Sequence, residues 1–198
     1  PFPTPETYHT DQRIQLAYKQ QQALDLFATN TNKYYRMYHD NDGTSIEEEL
    51  FLLLHSLLFP VFAPPDNEFN NYYLRPGRYG QYMYLKRFLT LSQHYHPPRT
   101  HFVLKTPMHG WHFEELCKVF DNSFIVVTHR DPLFVIPSAC KLTMFIMPHA
   151  LRDAGNDPFI CKETFGKGVA KLMSHIPKEI RRVRNENKIL NDRIMDVE

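Results

Sequence analysis

Two short apolar runs in this chain end in cations. The first, Phe102-Val103-Leu104, leads into Lys105-Thr106-Pro107-Met108-His109, and the second, Phe124-Ile125-Val126-Val127, leads through Thr128 into His129-Arg130. Runs this short and this apolar fit parallel strands covered by helices on both faces. Ligands of open α/β folds bind at the carboxyl ends of such strands, so cations collected there point to an anion site. Arg130 brings a planar fork that matches phosphate oxygens, and Ser138, eight positions on, brings a further donor. His109 is the first candidate general base, because imidazole gains and loses a proton near neutrality and a helix N-terminus favours its neutral form. Plainer roles stay open for each residue: Arg130 paired with a neighbouring carboxylate, Ser138 tolerating burial, Lys105 an ordinary strand-end lysine, His109 a capping or packing group.

Positioning these groups requires strand, helix, strand, helix. Asp131-Pro132 is a good helix start, since Pro tolerates the first turn and a carboxylate suits the positive end of the helix dipole. The expected helices here are 109–120, joining the strands, and Pro132 to about Ala150. Upstream, 11–30 reads as a helix with Ile14, Ala17, Tyr18, Leu24 and Phe27 on one stripe, and Ser45-Ile46-Glu47-Glu48 is a capping box opening an apolar helix. A third helix spans Tyr79 to Tyr95, with Met83, Phe88 and Leu91 on its apolar side. Downstream, a long helix from Lys162 to about Leu190 carries Val169, Leu172, Met173, Ile176, Ile180 and Val183 and runs into a last strand. Pro177 predicts a kink or break in it, and Glu179, Arg181, Arg182, Arg184 and Glu186 read as its solvated face.

The 198 residues and 42% hydrophobic content suit one domain with a sizeable core, and a formal net charge of +1 argues against bulk nucleic-acid binding. Cys117, Cys140 and Cys161 lack Cys-x-x-Cys spacing, so reduced, buried thiols are expected rather than a disulfide framework or a zinc site. No apolar run reaches the ~18 residues of a spanning helix, and no membrane span is expected within the chain. The compartment stays open between the cytoplasm, slightly favoured, and an anchor lying upstream. Tyr34, Tyr35, Tyr38, Tyr72, Tyr73, Tyr79, Tyr82 and Tyr84 line an acceptor pocket or serve as helix-packing aromatics. His55 reads as a satisfied core histidine, His129 as a residue that orients Arg130, and Glu47, Glu48 and Glu49 as compatible with a carboxylate base.

Arg130, Asp131-Pro132 and Ser138 after an apolar strand resemble the 3'-phosphate-binding segment of the sulfotransferases. Val103-Leu-Lys-Thr-Pro-Met-His109 is similar to the Leu-Lys-Ser-Pro-x-His strand end of the bacterial-type members. Tyr8-His-Thr-Asp11 and Asp192-Arg-Ile-Met-Asp-Val197 also match that family. The likeness covers nearly the whole chain and is most specific between residues 101 and 142. It implies an α/β fold with a P-loop-type three-layer parallel sheet. It implies that Arg130 and Ser138, with Lys105 and Thr106, bind 3'-phosphoadenosine 5'-phosphosulfate as co-substrate, with no metal. Lys105 then contacts the sulfonate region and His109 is the base. In many relatives a His follows Lys-Thr directly, whereas here Pro107 takes that position and His109 lies two further on.

The resemblance implies two partners, the nucleotide sulfonate donor and a small-molecule or carbohydrate acceptor with a hydroxyl or amine. Family members also carry a Gly/Ser/Thr loop whose amides cradle the 5'-phosphosulfate, and no such motif is found among the seven glycines of this chain. The expectation is therefore a truncated single domain, an internal fragment inactive alone. In it 1–98 forms a helical N-terminal cap and 99–198 the α/β portion with the 3'-phosphate site. Two rivals remain: a non-catalytic nucleotide-binding or scaffold protein of the same fold, and a nucleoside-phosphate kinase relative, which requires a Walker-type Gly-Lys-Ser/Thr.

Overall fold

The computed structural model describes residues 6–27, 48–56, 74–95, 97–98, 100–150 and 162–198. Their elements are α1 (Gln12–Phe27), α2 (Leu50–His55), α3 (Tyr79–Tyr95), α4 (Met108–Trp111), α5 (Phe113–Val119), β1 (Ile125–Thr128), α6 (Pro132–Ala150), α7 (Lys162–Glu186), a 3-10 turn at Lys188–Arg193 and β2 (Ile194–Val197). This is a helix-rich α/β arrangement with a small parallel sheet. The chain divides into two compact units, Pro1–Glu48 with Thr90–Val103, and Glu49–Leu89 with Leu104–Glu198.

In the first unit α1 starts where Asp11 takes the Arg13 amide at 2.9 Å and grips its guanidinium. Ile14 and Ala17 are half-buried, while Leu16 and Tyr18 are exposed, so the expected stripe is only partly covered. Leu24 and Phe27 lie outside the described side chains. The capping box at 45–48 also lies largely outside the described residues, and α2 takes its first turn from Glu49, whose carbonyl accepts the Leu52 and Leu53 amides at 2.9 and 3.1 Å.

In the second unit one core gathers Leu53, Tyr82, Leu85, Met108, Trp111, Phe113, Leu116, Val119, Val183 and Leu190. The half-buried face of α7, Leu172, Met173, Ile176 and Ile180, packs on it, as the apolar period of that helix predicts. The helix continues through Pro177, and Trp111 Nε1 donates to the Leu172 carbonyl at 2.9 Å just upstream. The predicted helix 109–120 breaks at His112, which has φ −125° and ψ 42°. Trp111, His112 and Phe113 are all buried. Three consecutive residues point about 100° apart on one helix and cannot share a face, so the break turns each of them inward.

The sheet pairs β1 with β2 in parallel, Ile125 opposite Ile194 and Thr128 opposite Val197, and the His129 amide extends the ladder to the Val197 carbonyl at 2.7 Å. The strand expected at Phe102–Leu104 does not form. Among the described residues no strand lies alongside it, Val103 is 82% exposed, and the next amide, that of Lys105, bonds a carboxylate instead of a ladder carbonyl. Two further expectations need correction. His55 is exposed at the end of α2, not in the core. The charged face of α7 is in part a bonded network: Arg182 joins Glu179, Glu186 and Glu114 of α5, and Arg184 grips Asp196 of β2 with two bonds of 2.9 and 3.0 Å.

Candidate active site

Three elements meet at His109. Its Nε2 lies 2.7 Å from Glu49 Oε1, and its Nδ1 lies 3.1 Å from the Tyr82 hydroxyl. The other carboxylate oxygen of Glu49 accepts the Lys105 amide at 3.0 Å. Both side chains of the pair are enclosed, 14% exposed for His109 and 7% for Glu49. With neutral imidazole the Tyr82 O–H donates to Nδ1, while Nε2 and Glu49 Oε1 face each other at ion-pair distance, both buried and neither in an aligned hydrogen bond among the described residues. Burial pushes the Glu49 carboxyl up, but the adjacent His109, by direct interaction and by its charge when protonated, and the Lys105 amide outweigh it, and the carboxyl sits below its ordinary value. Glu49 is therefore ionised at neutral pH.

Local bonds explain why the chain presents these groups. Thr106 is buried, its carbonyl takes the His109 amide at 3.3 Å and its hydroxyl takes the Met108 amide at 3.4 Å, which turns the chain from Lys105 into α4. Lys105 itself is exposed. Tyr82 is delivered by α3, whose start is held by the buried Glu115: its Oε1 accepts the Gly77 and Arg78 amides at 2.8 and 3.3 Å, a carboxylate at the positive end of a helix. Gly77 has φ 102°, a left-handed conformation that suits glycine. Beside His109, burial pushes His112 down to about 4, with Arg78 and His109 adding to the effect against Glu115.

The second set of residues is on the surface. Asp131 starts α6, its Oδ1 accepting the Leu133 amide at 2.8 Å. Arg130 places its guanidinium 5.9 Å over the Phe134 ring, and Ser138 stands one turn beyond Phe134 on the same helix face. Arg130 and Ser138 are both exposed. His129 turns to Asp196 of β2, 2.7 Å away, and Asp196 is held below its ordinary value by Arg184 first and by His129 second. His129 thus anchors the strand exit to β2.

Compared with known proteins, residues 1–198 match the sulfotransferase family. The chain belongs to this family. Neither the curated proteins nor the solved structures give a significant match. Sulfotransferase membership points to a transferase and supports sulfonate transfer in general. Among the described residues of this sulfotransferase no group of three or more His, Cys, Asp or Glu is placed to hold a metal, and no helix is long and apolar enough to cross a membrane. Cys117 is buried, and that burial pushes its thiol up to about 11. Cys140 is half-buried, and Cys161 lies outside the described residues.

Glu49 and Tyr82 are the residues that sequence spacing singles out least. Glu49 is one of three consecutive acidic residues and Tyr82 one of many tyrosines, and each meets His109 only through long-range packing. Tyr79 and Tyr84, on the same helix, are exposed. Tyr34, Tyr35, Tyr38, Tyr72 and Tyr73 lie outside the described residues.

Proposed function

We propose that this protein transfers a sulfonate group from 3'-phosphoadenosine 5'-phosphosulfate to a hydroxyl or amine of a small-molecule or carbohydrate acceptor. The fold proposed with it is the P-loop-type three-layer sheet, of which 1–98 supplies a helical cap and 99–198 the α/β portion. Arg130 and Ser138 bind the 3'-phosphate. The observation that supports the reading is an exposed cation just before α6, its guanidinium over Phe134, and an exposed hydroxyl one turn beyond that ring on the same helix face. Lys105, with Thr106 setting its turn, meets the sulfonate end of the donor.

The acceptor oxygen or nitrogen attacks sulfur, the bond from sulfur to the bridging phosphate oxygen breaks, and its electron pair stays on the 5'-phosphate of 3',5'-diphosphoadenosine. The acceptor's proton is relayed through the Tyr82 hydroxyl, which gives its own proton to His109 Nδ1 and takes the acceptor's, while Nε2 keeps its place beside Glu49. Lys105 offsets charge that grows on the leaving phosphate, an effect realised mainly in the transition state. No metal is required.

The absence of a Gly/Ser/Thr phosphosulfate loop motif from the 198 residues favours one other reading, a nucleotide-binding protein of the same fold that does not transfer. Both readings are tested by following labelled sulfonate from the donor to hydroxyl and amine acceptors in the full-length protein. Transfer that loses its acid limb in a pH–rate profile of His109→Asn, with donor affinity almost unchanged, supports the enzyme. Tight binding of 3',5'-diphosphoadenosine without transfer supports the non-catalytic protein. The 198-residue chain alone is expected to give no measurable transfer.

A further inference from the structure

We infer that Glu49 is a positioning residue that locks the proposed cation and the proposed base to one another. This rests on the functional reading above. One carboxylate carries both contacts, Oε2 on the Lys105 amide at 3.0 Å and Oε1 on His109 Nε2 at 2.7 Å. It has little freedom to do anything else. Its main chain opens α2, which is anchored in the core by the fully buried Leu53, and its side chain is 7% exposed. His109 cannot rotate away, since its other nitrogen is held by Tyr82, itself fully buried on α3. The charged and titratable groups around the imidazole are Glu49, Tyr82 and, through space, His112, whose neighbours are Glu115 and Arg78.

Two consequences follow from an ionised carboxylate in that position. A carboxylate oxygen 2.7 Å from Nε2, with no other partner of its own among the described residues, favours a proton on that nitrogen, leaving Nδ1 as the one that takes a proton, and it stabilises the imidazolium once formed. The same carboxylate holds the Lys105 backbone, so the side chain that meets the sulfonate starts from a fixed point relative to the base. Geometry of this kind raises the rate without adding a contact to substrate.

The test has two parts. Nitrogen-15 NMR of histidine-labelled full-length protein reads the tautomer directly and needs no variant. An Nε2–H tautomer for His109 is expected, and an Nδ1–H tautomer overturns the inference. Glu49→Gln, which keeps an oxygen for the Lys105 amide, is expected to lower kcat about 10- to 100-fold with donor KM changed less than about threefold. Its acid limb should move to lower pH, because imidazolium loses its counter-charge. If Glu49→Gln turns over at the wild-type rate with an unmoved acid limb while Arg130→Ala weakens 3',5'-diphosphoadenosine binding, the functional reading stands and Glu49 is no positioning residue. If wild-type protein neither binds that nucleotide nor transfers sulfonate, the functional reading fails and takes the inference with it.

Discussion

The surroundings of His109 and those of Arg130 are built in opposite ways. At His109, a buried carboxylate, a buried phenol and a half-buried imidazole come from three elements, and the two contacts of Glu49 span 56 and 60 positions of chain. At Arg130, everything that matters sits within nine consecutive residues: a cation, an Asp-Pro helix start, a ring under the guanidinium and a hydroxyl one turn on. The first arrangement is rigid because it is part of the core, and the second is open to solvent and therefore to a ligand. In the proposed function, chemistry that needs a fixed geometry falls to the first, and capture of a charged nucleotide to the second.

Substitutions separate the two regions by size and kind of effect. Lys105→Met should lower the transfer rate about 10²- to 10³-fold, the scale for removing one preorganised charge contact, and change donor KM far less. Steady-state kinetics in the full-length protein measures it. An equal loss in binding and turnover would place Lys105 with the capture region instead.

Acid should strain the buried region first. His112 is 1% exposed and its folded value is about 4. The unfolded chain keeps the ordinary histidine value near 6.5, so between these values it binds more protons than the folded protein, and stability falls as pH drops through that window. The loss reaches about 3 kcal/mol at the acid end. Denaturant melts across this range should show it, and His112→Gln should flatten the slope whatever its absolute stability. Glu49 works in the same direction at lower pH: its depressed carboxyl contributes stability above the ordinary glutamate value, lost as pH falls below it.

Gly110→Ala should cost about 1–3 kcal/mol, because the added methyl would meet Ile176 Cγ2 at 2.7 Å and a β-branched side chain on α7 has little room to yield. Thermal melting reads it. Asp196→Asn, by contrast, removes an exposed pairing with Arg184 and His129, and should leave the melt almost unchanged. A large loss there would mean that the sheet end is as tightly built as the core.

The same contrast explains what the sequence discloses. α3 and α6 run over the residues their patterns indicate, Tyr79–Tyr95 and Pro132–Ala150, since apolar spacing and an Asp-Pro start are local signals. β1 and β2 likewise fall within the runs at 123–128 and 192–197. The run at Phe102–Leu104 carries the same apolar signal yet forms no strand, because a strand needs a neighbour and none lies beside it among the described residues. The break at His112 is decided by three adjacent buried side chains, which no period along the chain encodes. Arg130 and Ser138 are legible for the local reason given above. Glu49 and Tyr82 become visible as partners of His109 only once α2, α3 and α4 are packed together.

The central claim is that Arg130 and Ser138 hold the 3'-phosphate of the donor nucleotide. Calorimetric titration of 3',5'-diphosphoadenosine into full-length protein tests it without any acceptor. Arg130→Ala should weaken binding by about 2–4 kcal/mol, since a charge-assisted bidentate contact is lost, and Ser138→Ala by about 1 kcal/mol. Unchanged affinity in the Arg130 variant would contradict the account.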